Sequence, residues 1–306
     1  MKHYDVIIVG GGPAGLTASI YALRSGWSVL LFEGNVLGGQ SSASYEVANY
    51  PGIETTTGLD LAMKMHSQAE KLGLVTEYDF VEKIDCKNKV INTKSSQFTA
   101  DCIILAMGAK PKKLGLERED SLMGRGVHYC ATCDGGFYRG KKVAIVGGGN
   151  TASEDAIYLS NICSGVTMLV RADSLKSQDI FHDKIDNLQK QKKLNVLYSS
   201  KISEIIEKDN KVVGVKIVSE DKEKELKVDG VFVAIGREPD TTLINGQITL
   251  NKEGYVVSNE KMHTNIEGVF VAGDIREKEV RQIITACSDG AIAGIEANHY
   301  LNHKRG

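Results

Sequence analysis

The chain has no apolar run approaching the roughly 20 residues that a membrane helix needs, and no low-complexity segment. It also lacks net charge: 37 Lys and Arg stand against 39 Asp and Glu, a formal balance of −2 at pH 7. Near-neutrality removes the electrostatic case for nucleic acid or an anionic membrane as a partner. Cysteine is sparse. Of the six in 306 residues, Cys86, Cys102, Cys163 and Cys287 are scattered and only Cys130 and Cys133 lie close together. The scattered four read as reduced, mostly buried small residues. A chain of this length buries a sizeable core without disulfide staples. No signal peptide is evident either, because Met1-Lys2-His3-Tyr4-Asp5 runs straight into a strand-like segment, so a cytoplasmic location is expected. The remainder is ordinary soluble composition, 42% hydrophobic and 25% charged, with a length prior of about two domains.

What is present is a repeated pattern. Asp5 to Val9 is a β-branched run read as a buried parallel strand. Gly10-Gly11-Gly12-Pro13-Ala14-Gly15 follows, then helical composition from Leu16 to Ser25, then a strand from Ser28 to Phe32 that ends at Glu33. The pattern returns with a strand at Lys142–Val146, a turn at Gly147-Gly148-Gly149-Asn150-Thr151-Ala152, a helix at Ser153–Asn161 and a strand at Val166–Val170. Gly147 lies 137 residues beyond Gly10, an internal repeat on the scale of a domain. Strands ending in Gly108 and Gly236, each followed by a proline at Pro111 or Pro239, read as domain crossings. The expected fold class is therefore α/β, with two Rossmann-like dinucleotide-binding domains, the second inserted into the first. The expected boundaries are 1–112 with 243–306 for one domain and 113–242 for the other. Lys208-Asp209-Asn210-Lys211 reads as a hairpin turn, and charged Ser219–Lys227 as a solvated turn and edge.

Glycine in the first fingerprint has physical work. Gly10 permits a tight turn, Gly12 lets a pyrophosphate approach the backbone, and Gly15 allows close helix–strand packing. The helix N-terminus presents free N–H groups to a phosphate. Glu33, 23 residues after Gly10, can accept hydrogen bonds from a ribose hydroxyl pair. In the second fingerprint, Gly147, Gly149 and Ala152 occupy the motif positions, and Val170-Arg171 stands where an acid would be. Loss of the acid and an adjacent cation suit a 2′-phosphate, which favours NADPH over NADH; the alternative is a solvated surface arginine.

Cys130-Ala131-Thr132-Cys133-Asp134 admits several chemistries. Zinc wants four ligands, and no second Cys-x-x-Cys or His-x₃₋₅-His exists, although His128 is near. A purely structural disulfide is disfavoured in a reducing compartment. A redox dithiol is the best reading, and it needs a thiolate and a means of moving protons. Adjacent Asp134 suits that purpose, or serves as a helix cap.

Together these residues closely resemble the low-molecular-weight thioredoxin reductases, flavoprotein disulfide reductases. The resemblance spans nearly the whole chain. It runs through the Gly10–Gly15 fingerprint, Gly38-Gly39-Gln40, Ala48-Asn49-Tyr50-Pro51-Gly52, Cys130–Asp134, Ala234-Ile235-Gly236, Gly273-Asp274 and Arg281-Gln282-Ile283-Ile284-Thr285-Ala286. It implies that the first domain binds FAD and the inserted one NADPH, in a homodimer that reduces thioredoxin. It implies FAD contacts from Gly10, Gly12, Pro13, Ala14, Gly15, Glu33, Gly39, Gln40 and Asn49, with Val81 near the adenine. Asp274 would meet the ribityl chain, and Arg281, Gln282 and Ile283 would lie by the isoalloxazine. NADPH contacts would come from Gly147, Gly149, Asn150, Thr151, Ala152, Arg171 and Lys176. By the same resemblance Cys133 faces the flavin, Cys130 attacks the substrate disulfide, Asp134 donates and accepts the proton, and the domains rotate between half-reactions.

The chain departs from that pattern at Val170–Lys176, where the family usually shows His-Arg-Arg-x-x-x-Arg. One arginine is lost and Lys176, a point charge without arginine's fork, stands in for the last. Gly136 and Met107 are also unusual. NADPH stays ahead; NADH or ferredoxin as reductant is the nearest alternative. A flavin-binding redox sensor without turnover and a zinc-stapled module are the rivals from other classes.

Overall fold

The computed structural model describes every residue except Met1, Tyr45, Glu220 and Asp221. The chain divides into two compact units, Met1–Lys110 with Glu238–Gly306, and Pro111–Arg237 between them. Each crossing falls inside one of the two Gly-x-x-Pro segments.

The first segment runs through β1 (Lys2–Val9), α1 (Pro13–Arg24), β2 (Val29–Phe32), α2 (Gly58–Glu70), β3 (Val75–Glu77), β4 (Val81–Asp85), β5 (Val90–Thr93), β6 (Gln97–Leu105) and the short β7 (Ala109–Pro111). Val6, Ile7 and Ile8 are completely buried, which is why β1 shows no alternation. The strand stops because Gly10 takes φ 110°, and a Cβ there would meet the Ala106 carbonyl oxygen at 2.3 Å. Only glycine fits such a corner. The helix then begins at Pro13 rather than Leu16, since proline's missing N–H and fixed φ suit a first helical position.

The inserted unit contains β8 (Val127–His128), α3 (Ala131–Asp134), β9 (Lys142–Val146), α4 (Asn150–Ser160), β10 (Gly165–Leu169), α5 (Asp179–Lys190), β11 (Leu194–Leu197), β12 (Ser200–Lys208), β13 (Lys211–Ser219), β14 (Lys222–Leu226) and β15 (Gly230–Val233). Five parallel strands form a sheet in the order β11-β10-β9-β15-β8, and β12-β13-β14 form a separate antiparallel sheet. One core, with Val143, Ile145, Ala152 and Ala156, lies under α4 and α5; a second, with Val146, Ile205 and Val215, lies toward the antiparallel sheet. The β12–β13 turn is made by Asp209 and Asn210 at φ 54° and 58°, a left-handed pair that matches strand twist. Within Ser219–Lys227, Glu220 and Asp221 lie outside the described residues; Lys222–Leu226 forms the largely exposed β14. Helix α4 takes in Asn150–Ala152, which the sequence placed in the preceding turn.

The chain returns through β16 (Arg237–Pro239) to β17 (Val269–Val271) and ends in α6 (Ile283–Arg305). β1 pairs in parallel with β2 and β6, and β17 lies beside the C-terminal half of β6 while β5 pairs with its first residues. The seven-stranded sheet therefore ends its central parallel strands along one edge. Helix α6 packs directly on α1; a Cβ on Gly290 would sit 2.1 Å from the Ala14 carbonyl oxygen. That contact delivers the N-terminus of α6 to the first glycine turn. No helix among the described residues is long and apolar enough to cross a membrane.

Candidate functional site

The first glycine turn is a cradle. Gly38 N–H donates to the Gly11 carbonyl at 2.8 Å and draws the Gly38–Gly39 loop onto the fingerprint. A Cβ on Gly12 would have nothing nearer than the Gly38 carbonyl oxygen at 4.0 Å, so open space faces the N-terminus of α1. The first N–H groups of that helix have no intrahelical acceptor, and the space suits a pyrophosphate. Pro13, Ala14 and Gly15 form the first turn of α1. Glu33 closes β2 and is 8% exposed. Its Oε2 accepts from Gly11 N–H at 2.9 Å and its Oε1 from Asn35 N–H at 2.8 Å, so it braces the turn while each oxygen keeps a lone pair for a ribose.

Residues distant in sequence converge on the same unit. Asn49 Nδ2 donates to Gln282 Oε1 at 3.2 Å. Gln282 caps α6 through a capping box with Thr285, which leaves Ile283 as the first helical residue. The Arg281 guanidinium lies 4.2 Å from the Tyr255 ring centroid, and its buried Nε has no hydrogen-bond partner among the described residues. Such an orphaned donor fits a ligand atom. The Gln40 amide donates to the Ala109 carbonyl. Asp274 pairs with Lys278 Nζ at 3.7 Å, and the same ammonium reaches Asp289 Oδ2 at 2.9 Å. Asp289 also accepts from Gly273 N–H and Arg276 Nη1, both at 3.1 Å. Val81, on β4, is half-buried beside the core on the other sheet face.

The second turn repeats the first in the inserted unit. Gly147 has φ 147°, and a Cβ there would meet the Ala234 carbonyl oxygen at 2.3 Å. Gly149 faces open space. Asn150, Thr151 and Ala152 begin α4. Lys176 N–H donates to the Gly148 carbonyl at 2.7 Å and Gln178 N–H to Asn150 Oδ1 at 2.8 Å, so the loop carrying Arg171 and Lys176 folds back onto the turn. Both side chains are exposed, and neither makes an ion pair among the described residues. A Cβ on Gly148 would lie 2.8 Å from Val170 Cγ1, as one on Gly11 would lie 2.9 Å from Glu33 Oε2. Valine thus holds the place that the carboxylate holds in the first turn.

Cys130 and Cys133 form a disulfide with Cα atoms 5.3 Å apart. Cys130 precedes α3, a single turn whose Asp134 N–H donates to the Cys130 carbonyl at 3.1 Å. The turn rests on α4: a Cβ on Gly135 would meet the Tyr158 ring at 2.9 Å. Asp134 makes no cap hydrogen bond to the following 3₁₀ turn, so the helix-cap reading of this residue does not hold. Its Oδ2 lies 3.0 Å from His128 Nδ1, and His128 Nε2 lies 2.7 Å from the Tyr138 hydroxyl. Both nitrogens of His128 are committed, which also removes it as a zinc ligand. The other cysteines are free thiols. Burial pushes Cys86 and Cys163 up to about 11 and raises Cys102 and Cys287 as well, so thiolate chemistry at neutral pH is left to the pair.

The sequence missed His128 as a partner of Asp134, along with Tyr138, Lys278 and Asp289. No local spacing marks them, because each partnership needs a strand end or loop to meet a helix.

The sequence profile of the pyridine nucleotide-disulphide oxidoreductases matches residues 4–290. A thioredoxin reductase of Bacillus subtilis is 43% identical over 305 residues, covering 98% of this chain and 95% of that one. A Clostridium pasteurianum protein described as the 34.2 kDa protein in the rubredoxin operon is 40% identical over 307 residues, 99% of each chain. The crystal structure of thioredoxin reductase from Streptococcus pyogenes matches with a TM-score of 0.91 at 38% identity, over 98% of this chain and 99% of that chain. The profile match over residues 4–290 and these full-length relatives show that the chain belongs to the pyridine nucleotide-disulphide oxidoreductase family, on its thioredoxin reductase branch.

Proposed function

We propose that this protein reduces the disulfide of thioredoxin, with NADPH as reductant and FAD as the bound flavin. The observation that carries the reading is the Cys130–Cys133 disulfide, held on α3 in the unit that contains the second nucleotide turn, with a carboxylate beside it. When bound, FAD supplies the two-electron relay between the nicotinamide and that disulfide.

The chain's own residues define the rest. The open cradle at Gly12 and Gly39, the N-terminus of α1, Glu33, Asn49, Asp274 and the orphaned Arg281 Nε fit a flavin dinucleotide. Gly149, the N-terminus of α4, Arg171 and Lys176 fit a nicotinamide dinucleotide with a 2′-phosphate. Two electrons and two protons convert the Cys130–Cys133 disulfide to a dithiol, and Cys130 passes its proton to Asp134 as it becomes the thiolate. The Cys130 thiolate then attacks one thioredoxin sulfur, forming a mixed disulfide, while the other thioredoxin sulfur leaves and takes a proton from Asp134. Cys133 attacks Cys130 Sγ, re-forms the internal disulfide and releases the second thioredoxin sulfur. Each cycle oxidises one enzyme dithiol and reduces one thioredoxin disulfide. A homodimer in the cytoplasm belongs to the same reading.

Cys133→Ser is the direct test. The variant should retain FAD and lose thioredoxin reduction by about 1000-fold or more, the scale of removing a nucleophile. Turnover near the wild-type rate would overturn the proposal.

A further inference from the structure

We propose that His128 is the positioning residue for Asp134: its Nδ1–H holds the carboxylate beside the dithiol, and the Tyr138 hydroxyl fixes the tautomer that does so. The inference rests on the reading of Asp134 as the proton donor and acceptor.

An ionised carboxylate can only accept, so the 3.0 Å contact from Asp134 Oδ2 requires the proton on Nδ1. A neutral imidazole then leaves Nε2 as an acceptor, and the Tyr138 O–H donates to it at 2.7 Å. The three groups form a chain with every proton assigned. Tyr138 is suited to remain a donor: burial, with Asp134, Asp229 and Cys163 adding, raises its phenol well above the usual range.

Packing holds the chain in place. The His128 ring stacks on Phe232 at 5.2 Å and meets Tyr138 edge-on at 5.1 Å. Tyr138 in turn is pressed against Gly230, where a Cβ would come within 2.4 Å of its ring. His128 is 5% exposed and Tyr138 7%, so neither can swing away. Lys141 lies over the Tyr138 ring at 5.4 Å, and Asp229 and Cys163 also act on that phenol. Burial alone calls for both ring nitrogens to be paired; what marks this histidine is that one partner is the acid next to the disulfide.

The chemistry gives a signed expectation. Asp134 hands the leaving thiolate its proton, so the exchange step depends on how that carboxyl is held. Removing the Nδ1–H bond leaves substrate binding in place and lowers kcat for disulfide reduction, by about tenfold for a charge-assisted hydrogen bond.

The test is the split between kcat and KM, measured on holoenzyme reduced with NADPH, with thioredoxin and separately with a small organic disulfide as oxidant. His128→Phe should lower kcat about tenfold and leave KM nearly unchanged. His128→Asn, which keeps an N–H donor, should restore most of the wild-type kcat. Tyr138→Phe, which deletes one oxygen and no packing, should lower kcat by less. A kcat unmoved in His128→Phe and Tyr138→Phe, or a loss in His128→Phe that His128→Asn does not recover, would overturn the assignment. The same kcat losses with the small disulfide, in a wild type inert toward thioredoxin, would support the positioning role and sink the thioredoxin reading instead.

Discussion

Glu33 and Val170 occupy equivalent places against the two glycine turns, and the difference between them is chemical. The carboxylate offers acceptors to a ribose diol; the valine offers none and leaves Arg171 as the next side chain. The loop bonds at Gly148 and Asn150 keep that arginine and Lys176 with the turn they would serve. Arg171→Ala should lower kcat/KM for NADPH about tenfold, the worth of one charge-assisted hydrogen bond, and leave NADH nearly unchanged. Lys176→Ala should act in the same direction by less. A comparison of both cofactors in each variant checks this, and an unchanged NADPH/NADH ratio would remove the 2′-phosphate assignment. At this scale the fingerprints and the dithiol were legible, because their chemistry depends on neighbours within a few residues. His128 was not. Its role exists only because the end of β8 meets the single turn of α3 and the Tyr138 ring behind it.

Elements carry the site through their ends. Helices α1 and α4 begin at the two cradles, and α6 begins at Gln282, where a capping box and the close Gly290–Ala14 approach set its start. The βαβ patterns could be read from apolar runs and glycine. The seven-stranded sheet could not, since β3, β4 and β5 are short and partly exposed, and β17 joins β6 from more than 160 residues away. The start of each helix was read late because Pro13 and Asn150 look like turn residues. Helix α4 also holds a strained group. Burial, with Glu154 adding and Arg237 opposing, lifts Asp155 from 3.8 to about 7. The folded state thus binds that proton more tightly than the unfolded chain, so stability is lost as pH rises from about 4 to about 7. Asp155→Asn, which cannot ionise, should gain roughly 1–3 kcal/mol more at pH 8 than at pH 5. Thermal melts at the two pH values check it; equal gains would show that the carboxyl does not titrate in this window.

The chain leaves one α/β unit, builds another and returns to the first. That plan was visible in the 137-residue repeat and in two Gly-x-x-Pro segments, since each crossing needed a strand to end and a proline to follow. The dithiol belongs to the inserted unit together with the second turn, and the first turn with Asp274, Arg281 and Gln282 belongs to the split unit. Burial raises the other four thiols, which leaves the Cys130–Cys133 pair as the group suited to attack a substrate disulfide. The measurement that bears most directly on this account is anaerobic. The flavin absorbance of the holoprotein is followed as NADPH is added and then as oxidised thioredoxin is added. NADPH should bleach the flavin, and thioredoxin should restore it in the wild type but leave it bleached in Cys133→Ser. Restoration by thioredoxin in Cys133→Ser, or none in the wild type, would contradict it.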